Sequence, residues 1–148
     1  MQPRTATPEM IAESNPPAGY EPIVSWSNFG WENGPIFDLE SKDGWVRGFR
    51  VLDKHINAGG VCHGGMLMTF ADILLSRAVM EVVQPPFVTI RMVTDFVGAG
   101  FKGQWLEGTA EVQGEADGVI TVTGKVTSDR GTVISCHALF KKIGRVKE

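Results

Sequence analysis

The sequence is short of cysteine, of net basic charge and of uninterrupted apolar runs, and each shortage removes a class of protein. Cys62 and Cys136 are the only cysteines in 148 residues, too few for a disulfide framework. Net charge is −3, so no overall basic field points to nucleic acid. Lys141, Lys142, Arg145 and Lys147 do gather at one end, where solvated tail charge is the commonest meaning. The apolar run from Met66 to Val83 approaches membrane-spanning length, but Asp72, Arg77 and Glu81 interrupt it, and each is costly in lipid. The first twenty residues hold four prolines and no apolar signal core. His55, His63 and His137 lack metal-ligand spacing. The expectation is a cytoplasmic protein with no metal, no membrane association and no nucleic-acid partner.

What is present is ordinary in bulk and unusual in one place. Hydrophobic residues at 43% and charged residues at 21% suit a single domain with a substantial core. From Gly59 to Gly65, four of seven residues are glycine, which lets the backbone turn sharply and approach a ligand. The stretch that follows, residues 65–83, contains no proline beyond the loop and reads as one long helix, mostly apolar and therefore internal. Thr69, Asp72 and Ser76 fall at i, i+3 and i+7 and make one narrow polar stripe on it.

Around that helix the pattern is of strands. Residues 1–22 read as a flexible segment with one short helix, Thr7 its cap and Pro8 its first position. Residues 23–148 form the domain. Trp26, Phe29 and Trp31 are apolar anchors expected across its core, and for Trp26, Trp31, Trp45 and Trp105 core is the default and the lining of a ligand pocket the alternative. Residues 36–41 and 45–52 flank Asp43-Gly44, and residues 104–116 and 119–128 flank Asp117-Gly118, both hairpin signals. Pro85-Pro86 stops the helix, and residues 87–97 form a strand with Val88, Ile90 and Met92 on one face and Thr89, Arg91 and Val93 on the other. In residues 132–143, Ile134, Cys136, Ala138 and Phe140 alternate with Ser135, His137 and Leu139. Two strands, a helix and four strands make an α+β fold with an antiparallel sheet wrapped on the helix.

The glycine-rich loop is not a phosphate loop of known type. A Walker A loop needs Gly-Lys-Ser/Thr, but Gly64-Gly65 runs into Met66-Leu67, and no G-x-G-x-x-G follows a parallel strand. Unpaired amides at a helix start can still hold an oxyanion. With a carboxylate two turns on, the parts suit acyl transfer.

His63-Gly64-Gly65, with Asp72 nine residues after His63 and Asn57 six before it, resembles the signature of the hot-dog-fold acyl-CoA thioesterases, closest to the phenylacetate-degradation branch. The resemblance implies a central helix wrapped by a curved sheet, and a homodimer or homotetramer with active sites at the dimer interface. It implies that the Gly64 amide polarises a thioester carbonyl, that Asp72 of the facing protomer is base or nucleophile, and that Asn57 orients water or substrate. It further implies that Thr89 helps position the water and that His63 braces the loop. Coenzyme A is then part of the acyl- or aryl-acyl-CoA substrate and no cofactor is bound. Plainer readings stand beside these: Asp72 as an acid satisfied by Thr69 or Ser76, Asn57 as a turn residue, Cys62 as an inert buried thiol, Arg91 as a sheet residue rather than a phosphate contact. Two rival functions also stand, an enoyl-CoA hydratase or dehydratase with His63 as its acid–base group, and an acyl-CoA-binding module without catalysis.

Overall fold

Small capping and turn residues place the ends of the elements in the computed structural model, which describes residues 2–144. Thr7 accepts the Met10 amide at 3.3 Å and starts helix α1 (Pro8–Ser14). Strand β1 (Glu21–Pro22) is followed by helix α2 (Asn28–Asn33), capped by Ser27 Oγ on the Gly30 amide at 3.0 Å. Strands β2 (Phe37–Ser41) and β3 (Gly44–Arg50) form a hairpin turned by Lys42 and Asp43, Gly44 opening β3 at φ 130°. One 3-10 turn, Asp53–His55, leads through the glycine loop into helix α3 (Gly64–Met80). Then come β4 (Phe87–Phe96), β5 (Trp105–Ala116), β6 (Val119–Ser128) and β7 (Gly131–Lys142). Asp117 and Gly118, at φ 53° and 77°, are the left-handed pair that a tight β5–β6 hairpin demands.

The strands form one antiparallel sheet in the order β1-β2-β3-β5-β6-β7-β4. The helix lies along one face because the sheet is hollowed there by small residues. Ala110, Gly124, Cys136 and Thr94 stand opposite one another across β5, β6, β7 and β4. A Cβ on Gly124 would come within 2.9 Å of Leu75, and one on Gly108 within 2.8 Å of Leu74. Leu67, Phe70, Ala71, Leu74, Leu75 and Val79 fill this trough and are buried with Phe49, Ile120, Val122, Ile134 and Phe140.

Several expectations change in detail. The helix ends at Met80, short of 83, because the Glu81 amide turns back to Ala78 and the Val82 and Val83 amides to Val79 ahead of Pro85. Its circumference is not wholly internal: Met68, Thr69, Asp72, Ile73 and Ser76 are only half-buried and share one open face. In β4 a bulge between Thr89 and Arg91 inserts Ile90, so the simple alternation fails. Thr89 pairs with inward Phe140 and Met92 with inward Ala138, which puts both on the helix side, while Val88, Arg91 and Val93 face outward.

The first 22 residues, read as flexible, carry α1 and β1 and are tied to the domain at several points. Arg4 and Ser25 exchange two backbone bonds at 2.9 and 2.7 Å, Arg50 Nε donates to the Ser14 carbonyl at 2.8 Å, and the Tyr20 hydroxyl donates to Glu107. Trp26 and Phe29 do not cross the core. They are 65% and 64% exposed, since α2 packs beside the open face of α3 rather than beneath the sheet. Of the basic tail, Lys141 and Lys142 are exposed at the end of β7, and Arg145 and Lys147 lie outside the described residues.

Candidate active site

The loop before α3 is held by its own polar groups. Asn57 Oδ1 accepts the Gly59 and Val61 amides at 2.9 and 3.2 Å, and Gly60 takes φ 84° in the turn so made. Asn57 is therefore a turn residue whose Nδ2 has no hydrogen-bond partner among the described residues. The Cys62 amide donates to Gly100 and the His63 amide to His55, each at 2.7 Å, which fixes the loop against the next connection. His55 is buried, its Nδ1 accepting the Leu52 amide at 3.0 Å and its Nε2 set 2.8 Å from the Asn33 carbonyl. Burial lowers its pKa below the usual histidine value, the bond to Asn33 partly opposing this.

His63 caps α3: its Nδ1 accepts the Gly65 amide at 2.8 Å. Among the described residues the Gly64 and Met66 amides have no hydrogen-bond partner. They sit where the positive end of the helix dipole adds to their pull on an oxygen. A Cβ at Gly64 would lie 3.3 Å from the Phe96 ring, so β4 closes one side of this corner.

Asp72 lies two turns along, on the open face. Its partner is neither Thr69 nor Ser76. Thr69 Oγ1 donates back to the Gly65 carbonyl at 2.9 Å, and the group on Asp72 Oδ1 is Thr89 Oγ1, 2.6 Å away from across β4. Asp72 is half-buried rather than buried, and it lines an open cavity of about 360 Å³ with Gly65, Met68, Phe29 and Ser27. The structure thus brings Asp72 and Thr89 together and leaves His63 and Asn57 as loop and cap residues. Gly64 and Asp72 stand eight residues apart on one helix, roughly 12 Å at about 1.5 Å per residue, too far to touch one carbonyl within a single chain.

Cys62 is not a nucleophile in waiting: burial pushes its thiol up to about 11. Arg91 is exposed on the outer side of β4 and turned from Asp72. Phe29, Ser27 and Gly30 were not legible as site residues, because residues 23–35 lack any period. The one usable signal was Ser27 three residues before Gly30, a cap with nothing strongly helical after it.

The sequence profile of the thioesterase superfamily matches residues 59–135, which run from the glycine loop through α3 and into β7. This chain belongs to the thioesterase superfamily. Its hot-dog fold is accordingly the α+β arrangement expected from the motif. A Pseudomonas aeruginosa protein named as a candidate esterase is 31% identical over 129 residues, 85% of this chain and 96% of that one. Among solved structures, the superfamily chain is similar to the E. coli PaaI protein of the phenylacetic acid degradation operon, with TM-score 0.68, 23% identity and 80% and 86% of the two chains covered. A Bacillus halodurans protein crystallised with CoA gives TM-score 0.68 at 23% identity, covering 74% of each chain. At these identities the two structures speak to the fold.

Proposed function

We propose that this protein hydrolyses the thioester of an acyl- or aryl-acyl-CoA, in sites shared between two copies of the chain. The observation that carries the reading is Asp72, fixed by Thr89 at 2.6 Å and open to a cavity, on a helix whose first amide is unpaired. The CoA in the B. halodurans neighbour supports the substrate class. The separation of Gly64 and Asp72 along the helix, roughly 12 Å at about 1.5 Å per residue, supports pairing the Gly64 amide of one copy with Asp72 of the other.

In the chemistry this arrangement suits, the thioester oxygen rests on the Gly64 N–H. Thr89 occupies Oδ1 of Asp72, leaving Oδ2 to take a proton from water or to attack the carbonyl carbon itself. By the first route the hydroxide adds to carbon, the carbonyl electrons move onto oxygen, and the Gly64 amide stabilises that charge. Collapse breaks the C–S bond, the thiolate of CoA takes the proton from Asp72, and the free acid departs. In this reading Asn57 Nδ2 donates to water or substrate near the loop. No metal or bound cofactor enters. His63, as acceptor of the Gly65 amide, acts as a brace, whereas a hydratase would need its imidazole free for proton transfer.

Thiol release over a panel of acyl-CoAs tests this. Asp72→Asn should lower turnover by on the order of 10² or more while retaining a non-hydrolysable acyl-CoA analogue, and Thr89→Val should lower kcat by less. An Asp72→Asn chain that turns over like wild type contradicts the assignment.

A further inference from the structure

Beside the Asp72 cavity lies a second one that the catalytic reading does not use. It measures about 320 Å³ and is walled by the N-terminal residue Ala6, by Ile23, Trp26 and Trp31 around α2, and by Ile73 of α3. No charged side chain lines it; its polar side chains are those of Ser25 and Ser27. Ser27, Gly30 and Ile73 line both cavities, so the apolar chamber adjoins the space that Asp72 faces, on the other side of the residue next to it on the helix.

The chamber is a built feature rather than a packing gap. Arg4 exchanges backbone bonds with Ser25, donates from Nη2 to Asn28 Oδ1 at 2.5 Å, and lies 4.9 Å from the Trp31 ring centre. Those contacts hold the segment before α1 as the outer wall, with the Arg4 guanidinium over Trp31.

We propose that this chamber receives the acyl group of the thioester, and that it selects an uncharged chain or ring of medium size. The inference rests on the hydrolase reading. Its occupant follows from adjacency and chemistry: a chamber beside Asp72 that offers no charge suits the apolar end of the molecule whose carbonyl Asp72 addresses. Size follows from volume. A cavity of about 150 Å³ accommodates benzene, so this one suits roughly ten to twelve carbons. Acetyl would leave it empty, and a long fatty chain would overrun it.

Two substitutions outside the catalytic groups test the assignment by moving specificity in opposite directions. Ala6→Phe fills the chamber and Trp31→Ala enlarges it. Measured as kcat/KM for thiol release from straight-chain acyl-CoAs of increasing length and from phenylacetyl-CoA, wild type should peak at medium length. Ala6→Phe should shift the peak to shorter chains and lower the decanoyl value by on the order of ten-fold or more. Trp31→Ala should shift it to longer chains. The same variants are titrated with the non-hydrolysable decanoyl-CoA thioether, and binding should weaken in Ala6→Phe. If wild type binds the thioether and Ala6→Phe weakens it, yet no acyl-CoA is cleaved, the hydrolase reading falls and the chamber stands. If thiol is released but both variants scale every substrate equally and leave thioether binding unchanged, the chamber assignment is overturned.

Discussion

His55 joins its own turn to the end of α2 through its ring, with the Leu52 amide on Nδ1 and the Asn33 carbonyl beside Nε2. An imidazole in which Nδ1 accepts is neutral, and burial holds it so, its pKa lowered from 6.5. The sign is fixed by linkage. Above the unfolded value both states are neutral and stability is complete; as pH falls from about 6.5 the unfolded chain binds the proton first, and stability is lost down to the folded value. Urea midpoints should therefore fall between pH 8 and pH 5, and His55→Gln should flatten that dependence while lowering the midpoint at pH 8. At this scale the sequence was informative about one partner at a time. Helical spacing marked Asp72, and the motif marked Gly64, but spacing along a helix offered only Thr69 and Ser76 as partners for the acid. The true partner, Thr89, comes from another element. Its orientation depends on the Ile90 bulge, which no alternation of residue types announces.

The helix α3 is placed by two different forces along its length. Beneath it the hollow row of Ala110, Gly124 and Cys136 admits its leucines. Alongside, Asp38 of β2 accepts Arg47 Nε and Nη2 at 2.7 and 2.8 Å and is also bonded by Arg77 of the helix. Arg47 in turn donates to the carbonyl of Ile73, the residue after Asp72, at 3.1 Å. All three side chains of this cluster are at most 15% exposed. Removing the carboxylate leaves two guanidinium groups without it, so Asp38→Asn should destabilise by about 3 kcal/mol, read from urea unfolding. An effect below about 0.5 kcal/mol, typical of exposed pairs, would contradict the placement. Element order was legible because turn pairs such as Asp117-Gly118 carry their own geometry. The end of α3 was not, since Val82 and Val83 continue the apolar run after the hydrogen bonding has tightened. Nor was the small α2, whose exposed Trp26 and Phe29 read as core by composition alone.

The whole molecule leaves one side unfinished. Edge strand β4 presents Val88, Ile90, Val93 and Phe96 at 41–54% exposure next to the open face of α3. An apolar sheet edge of this kind is a pairing surface, and a two-fold dimer is its closed solution. Sedimentation at micromolar concentration should show no monomer. Val88→Lys combined with Ile90→Lys should give monomers and lose thiol release in parallel, and a fully active monomer would contradict the shared site. That side was hidden in the sequence, where the apolar positions Val88 and Ile90 read equally as buried core.

Subunit mixing tests the central claim most directly. Gly64→Pro deletes the amide proton at the first helical position, where proline is tolerated, and His63 already has ψ 133° as a residue before proline requires. Asp72→Asn removes the acid. Each variant alone should release almost no thiol from a medium-chain acyl-CoA. Unfolded together at equal amounts and refolded, they should recover about a quarter of wild-type activity, because half of the randomly formed dimers then hold one intact site. Active single variants, or a mixture as inert as its components, would contradict the account.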